Sequence, residues 1–155
     1  MKNNKYYRVY AEINLDAIVK NVDNLMALTK ENTGALAVVK ADGYGHGDVA
    51  VAKAVAQKVT GYAVATLDEA VNLRENGVKK PILVLGYVDP YEFDILVSHE
   101  ITATVFDVET AQLLADAARV QKKQAHCHIK VDTGMRRIGL EPDENGIAIV
   151  KQITA

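Results

Sequence analysis

The chain has no tryptophan, two phenylalanines, three prolines and a single cysteine among its 155 residues. One cysteine, Cys127, excludes an internal disulfide framework and fits a reducing compartment. Charge of one sign is missing as well: a net charge of −2 leaves no electrostatic footprint for nucleic acid or an anionic membrane. No apolar run approaches the roughly 20 residues needed to span a bilayer. The polar stretch from Met1 to Tyr10 lacks the apolar centre of a signal peptide. A cytoplasmic protein with no nucleic-acid and no membrane partner is the expectation. What remains is 49% hydrophobic and 25% charged residues, which separates the chain from disordered sequences and allows one ordinary core. No linker or low-complexity tract interrupts it, so residues 1–155 are expected to form a single domain.

Five short apolar runs stand out: Leu36 to Val39, Tyr62 to Ala65, Ile82 to Leu85, Thr102 to Phe106 and Cys127 to Val131. The first four lack polar alternation, as strands covered on both faces do. Helical periodicity lies between them, in Ile18, Val22, Leu25 and Leu28, and again in Val49, Ala52, Val55, Ala56 and Val59. Thr66 and Glu69 have capping-box spacing, Asp89 precedes Pro90 at a helix start, Asp107 is placed to cap the segment carrying Leu114, and Gly77 marks a stop. The strand starts recur every 20 to 26 residues or so, the size of a compact βα unit. Parallel strands with right-handed crossovers leave two architectures, an open doubly wound sheet or part of a barrel. Five units cannot close an eight-stranded barrel of about 250 residues. Ala155 falls inside an apparent helix carrying Ile147, Val150 and Ile153, which reads as truncation.

The chemistry is concentrated in two strings. The first is Val38-Val39-Lys40-Ala41-Asp42-Gly43-Tyr44-Gly45-His46-Gly47. Burying an ammonium is costly, so a lysine ending an apolar strand is unusual; a desolvated amine tends to lose its proton and can then attack an aldehyde or accept a proton. Strand alternation puts Val38 and Lys40 on one face, and the three glycines allow a sharp turn or close backbone approach to a ligand. The plainer reading is a lysine reaching out to solvent beside a flexible turn. The second string runs from His126 to Gly139. Alternation puts His126, His128, Lys130 and Asp132 on one face, against Cys127, Ile129 and Val131 on the other. That polar face suits an active-site lining or an edge strand open to water. Neighbours at His126-Cys127-His128 point to opposite faces and no fourth ligand is evident, so no metal site is expected.

Both strings, together with Ala11 to Ile18, resemble alanine racemases. Val-Lys-Ala-Asp-Gly-Tyr-Gly-His-Gly from Val39 looks like the family's pyridoxal phosphate attachment signature, and Lys130-Val-Asp-Thr-Gly-Met-Arg-Arg137-Ile-Gly like its second marker. The resemblance covers the chain from about Tyr7 onward. It implies a pyridoxal 5'-phosphate cofactor held as a Schiff base on Lys40, which also serves as one of two catalytic bases. It implies further that Tyr44 contacts the cofactor phosphate, that Val38 and Leu85 lie near the ring, and that Arg137 meets the cofactor's phenolic oxygen and the substrate carboxylate. Lys130 matches a lysine that is carbamylated in several members; an anion there would relieve two adjacent cations. Arg136 falls at a variable position. Tyr62, Tyr87 and Tyr91 match no catalytic tyrosine of the family and are read as packing or surface residues.

The implied fold is α/β, a parallel (β/α) repeat comprising about five units of a TIM (β/α)8 barrel, incomplete in this chain. The implied function is an amino-acid racemase, an isomerase interconverting L- and D-alanine. In the family the barrel is followed by a β domain, and a homodimer completes each site with a tyrosine from the partner. The last barrel strands, the β domain and that tyrosine are expected to lie beyond Ala155, so the chain by itself is expected to be inactive. The alternative is a non-catalytic pyridoxal phosphate-binding barrel of cofactor homeostasis, whose lysine lacks the Ala-Asp-Gly-Tyr-Gly-His-Gly that follows here.

Overall fold

The register of the strands explains most of the architecture. In a computed structural model describing residues 8–155, β1 (Leu36–Val38), β2 (Gly61–Val64), β3 (Ile82–Val84), β4 (Thr102–Val105) and β5 (His126–Ile129) pair in that order, all parallel. The start of the chain, where a signal peptide was not expected, lies outside the described residues up to Tyr7. Val38, Ala63, Leu83, Thr102 and His126 are successive partners and therefore share one face. Tyr62, Val64, Ile82, Val84, Ala103 and Val105 face the other way and are buried.

That second face is covered by helices. Between the strands run α2 (Lys40–Gly45), α3 (Asp48–Ala54), α4 (Leu67–Glu75), α5 (Phe93–Ser98) and α6 (Val108–Val120), with α1 (Leu15–Met26) before and α7 (Glu144–Ile153) after. Leu67, Ala70, Leu73, Leu96, Val97, Leu114 and Ala118 from these helices join the outward strand residues in one core. A doubly wound sheet reverses its strand order to place helices on both faces. Here the order never reverses, so every right-handed crossover falls on the same side. The other face is open along its edge strands, with Leu36 and Val38 each about two-fifths exposed, while its central residues Ala63, Leu83, Thr102 and Thr104 are buried. Of the two architectures left open by periodicity, the order selects the barrel.

Local chemistry sets the boundaries. Thr66 and Glu69 form a reciprocal capping box at α4, Asp107 accepts from Thr110 N at α6, and Asn14 accepts from Ala17 N at α1. Helix α4 stops at Gly77, where Gly77 N donates to Arg74 O and Val78 N to Leu73 O, the paired bonds of a Schellman end. Pro90 opens a single 3-10 turn (Pro90–Glu92) capped by Asp89, and α5 begins only at Phe93. The apolar stripe of α1 is shorter than expected: Leu15, Ile18, Val19 and Val22 pack on the core, while Leu25 is exposed and Leu28 lies past the helix end. Arg74 staples two loops by donating to the carbonyls of His99, Val78, Lys80 and Glu100. Burial pulls its guanidinium below the ordinary value, and Glu100 opposes that shift.

Candidate active site

The chain turns left-handed immediately after Lys40. Ala41, Asp42, Gly43 and Tyr44 have φ of 51°, 54°, 60° and 55°. Three of these are not glycine, and each such residue costs about 1–2 kcal/mol relative to a right-handed conformation. The surroundings hold them there. Gly43 N donates to Val39 O at 2.9 Å and Gly47 N to Asp42 O at 2.9 Å. Asp48 N donates to Asp42 Oδ1 at 3.1 Å, and His46 Nδ1 lies 3.0 Å from Gly43 O. Strain concentrated at a lysine on a strand end is the kind of outlier that marks a working site.

Lys40 is half-buried and opens onto a cavity of about 300 Å³ at the C-terminal ends of the strands, lined by Lys40, Ala65, Leu85, Gly86, Tyr87, Arg137 and Ile138. Its Nζ lies 5.9 Å from the centre of the Tyr44 ring. The ring of Tyr87 sits 6.4 Å from that of Phe106. Burial pushes the Tyr87 phenol up, and the carboxylates of Asp89, Asp107 and Glu109 add to the effect. Gly86 is obligatory for space: a Cβ there would meet Ala65 O at 2.5 Å.

Arg137 reaches this cavity on a closed loop. Leu140 N donates to Lys130 O at 2.9 Å and Asp132 N donates to Leu140 O at 2.8 Å, so residues 132–139 return to their starting point. Inside the loop, Asp132 Oδ1 accepts from Gly134 N at 2.8 Å and Arg136 N at 3.0 Å. Those amides hold the Asp132 carboxyl below the usual aspartate range. A Cβ at Gly139 would stand 2.7 Å from Asp132 N, so the closure requires glycine. Just past the end of β5, Lys130 Nζ approaches Leu85 O at 3.5 Å, next to the cavity wall.

The comparisons with known proteins agree with one another. The family model for the alanine racemase N-terminal domain matches residues 13–155. The chain belongs to the alanine racemase family. It is 44% identical over 148 residues to the alanine racemase of Desulforamulus reducens, covering 95% of this chain and 40% of that protein. The alanine racemase structure from Clostridium difficile 630 superposes with a TM-score of 0.91 at 40% identity, over 96% of this chain and 39% of that one. A histidine racemase from Leuconostoc mesenteroides superposes at 0.81 with 28% identity, over 90% of this chain and 38% of that one. The chain thus spans about 40% of the length of the curated relatives it matches, and its sheet is the first five units of their barrel.

In the frame of this family, Lys40, Leu85 and Arg137 line the cavity together. Tyr44 stands beside Lys40 with its side chain mostly exposed, Val38 lies on the sheet face away from the helices, and Lys130 stands behind Leu85; these three are not among the lining residues. Tyr87, read from the sequence as a packing or surface residue, does line the cavity. It follows Gly86 at the end of β3, where the chain leaves the strand and regular alternation stops predicting direction. Glu69 and Gly86 carry no sequence signal for this cavity, because their roles beside it are bonds to backbone and space left empty. His126 and His128 face a separate cavity at the opposite strand ends with Arg74 and Cys127, and among the described residues no group of three or more His, Cys, Asp or Glu is placed to hold a metal ion.

Proposed function

We propose that this chain supplies the lysine-bearing part of the active site of a pyridoxal phosphate-dependent alanine racemase. The observation that carries the reading is the convergence of Lys40, from the end of β1, and Arg137, from the loop after β5, on one cavity with apolar walls. The donor set fits the cofactor's chemistry: a primary amine for its aldehyde, a guanidinium for an oxyanion, a phenol in Tyr44 for a phosphate oxygen, and Leu85 and Ile138 for the faces of an aromatic ring. When bound, pyridoxal phosphate supplies the electron sink for the carbanion left by removal of an amino acid's α-proton.

On this reading Lys40 Nζ holds the cofactor, then takes and returns the α-proton on one side of the substrate. Arg137, whose fork stays charged at any working pH, orients the carboxylate. Val38 fills the sheet face below the ring. Lys130 carries a carbamate, which a carbamate carbon resonance in the native protein equilibrated with 13C-labelled bicarbonate would reveal. Inversion needs a second proton-handling group on the opposite side, and the reading assigns it to a tyrosine of a partner subunit in a homodimer. Alanine is the substrate by the names of most of the relatives. The family likeness extends to a histidine racemase over the same units, so substrate size is set outside them. Residues 1–155 form part of one barrel domain on this view, in a cytoplasmic protein; among the described residues no helix is long and apolar enough to cross a membrane.

The test is to mix the purified chain with pyridoxal phosphate, reduce with borohydride and map the modified lysines by mass spectrometry. The expected result is selective label at Lys40, abolished in Lys40→Ala. Label scattered over surface lysines would remove the basis of the assignment.

A further inference from the structure

The carboxylate of Glu69 does two separate things. Oε2 accepts from Ala65 N at 2.7 Å and Thr66 N at 3.3 Å, completing the capping box of α4. Oε1 accepts from Ala41 N at 2.7 Å, across to the far side of the gap between β1 and β2. The last ladder bond between these strands runs from Val39 N to Ala63 O at 2.9 Å. Beyond it, Glu69 is the side chain that bridges the two diverging strand ends. Ala41 N belongs to the peptide that leaves Lys40, and Ala65 lines the same cavity as Lys40. Ala41 is also the first of the left-handed residues, where the backbone is held at a conformation it would otherwise abandon.

Capping alone explains only half of this. A capping box needs the side chain to reach the backbone at its own N-cap, which Oε2 does. It gives no reason for the second oxygen to bond a loop 28 residues earlier in the chain. We infer that Glu69 is a positioning residue for Lys40: its carboxylate clamps the end of β2 to the peptide after Lys40, and so sets where the amine points. The inference rests on the reading of Lys40 as the cofactor lysine, and it adds a residue from the α4 cap to that site.

Glutamine separates the two tasks. In Glu69→Gln the side chain has one acceptor oxygen, and turning it towards Ala65 and Thr66 satisfies two amides and keeps the cap, since glutamine serves in capping boxes. The NH2 group then faces Ala41 N, donor against donor. Glu69→Gln is therefore expected to keep α4 and lose the clamp. Glu69→Asp, a methylene shorter, keeps the charge and loses the span. Thr66→Ala does the reverse: it removes the hydroxyl that accepts from Glu69 N and leaves the carboxylate and both backbone contacts in place.

The experiment compares the three variants with the unmodified chain in the rate of borohydride-trapped label at Lys40 with pyridoxal phosphate, in amide exchange at Ala41, and in thermal midpoint. Glu69→Gln and Glu69→Asp are expected to slow labelling roughly tenfold, the lower end for a lost hydrogen bond to a charged acceptor at a partly exposed site. Thr66→Ala is expected to lower the midpoint while labelling Lys40 at the unmodified rate. Normal labelling in Glu69→Gln, or equal slowing in Glu69→Gln and Thr66→Ala, would overturn the inference. If the unmodified chain takes no selective label, it is the cofactor reading that fails, and the clamp is judged by exchange at Ala41 without cofactor. Roughly tenfold faster exchange in Glu69→Gln then supports it, and unchanged exchange rejects it.

Discussion

Asp132 shows how one side chain positions another without touching it. Its carboxylate gathers the amides of Gly134 and Arg136 and so shapes the loop that delivers Arg137 to the cavity. Hydrogen bonds from Arg136 N first and Gly134 N second lower its pKa in the folded state. A depressed carboxyl stabilises its loop above the ordinary aspartate value of about 3.9 and loses that contribution as pH falls through the folded value. Amide exchange at Gly134 and Arg136, corrected for the intrinsic rate, is therefore expected to stay slow at neutral pH and to accelerate only below about pH 4. Asp132→Asn, which keeps an oxygen and loses the charge, is expected to speed exchange at both amides several-fold at neutral pH. Equal protection in that variant would show that the loop is held by its closure at Leu140 instead. The motif containing Asp132 was visible in the sequence, but its bonds go to backbone, which leaves no compositional trace.

Three helices end in the same way with different residues. After α4, Gly77 takes φ of 88°; after α5 and α6 the equivalent positions are Glu100 and Lys122, at 53° and 55°. Lys122 N donates to Arg119 O and Lys123 N to Ala118 O, the bonds that Gly77 and Val78 make after α4. Only glycine adopts this conformation without steric cost, and a side chain there costs about 1–2 kcal/mol. Part of that is returned through the greater chain entropy of unfolded glycine. Lys122→Gly is thus expected to stabilise the fold by about 0.5–1 kcal/mol, a rise of roughly 1–4 °C in thermal midpoint for a chain of this size. A lower midpoint would contradict the assignment of the left-handed end. Helix starts were legible because Thr66, Asp89 and Asp107 announce themselves by type and spacing, whereas the Asn14 cap of α1 was not read. The stop at Gly77 was legible for the same reason, and those at Glu100 and Lys122 were not.

For the molecule as a whole, the decisive feature is a parallel sheet clothed on one side. Strands β1 and β5 are its edges, and on the face away from the helices these edges leave Leu36, Val38, His126 and His128 exposed. Racemisation requires proton transfer on both sides of the α-carbon, and on the proposed reading of the cavity Lys40 serves one side only, with the second group assigned to a partner subunit. The 155-residue chain by itself is therefore expected not to interconvert L- and D-alanine with pyridoxal phosphate present. Chiral chromatography of the product is the measurement; racemisation that disappears in Lys40→Ala would refute the expectation. Label at Lys40 without racemisation is the combined outcome that the geometry favours.

The amino-acid sequence by itself determined the βα repeat, the strand positions to within a residue at β2, the helix caps and the two strings that carry Lys40 and Arg137. Each of these depends on local periodicity or on residue type at fixed spacing, which a chain displays before it folds. Tertiary structure alone decided that all helices lie on one side, that Lys40 and Arg137 share a cavity, that Tyr87 lines it, and that Ala41, Asp42 and Tyr44 are left-handed. Strand order is a choice among crossovers that look alike in sequence. The left-handed turn persists only because Val39, Asp48 and Glu69, held by neighbouring elements, supply the bonds that offset its strain.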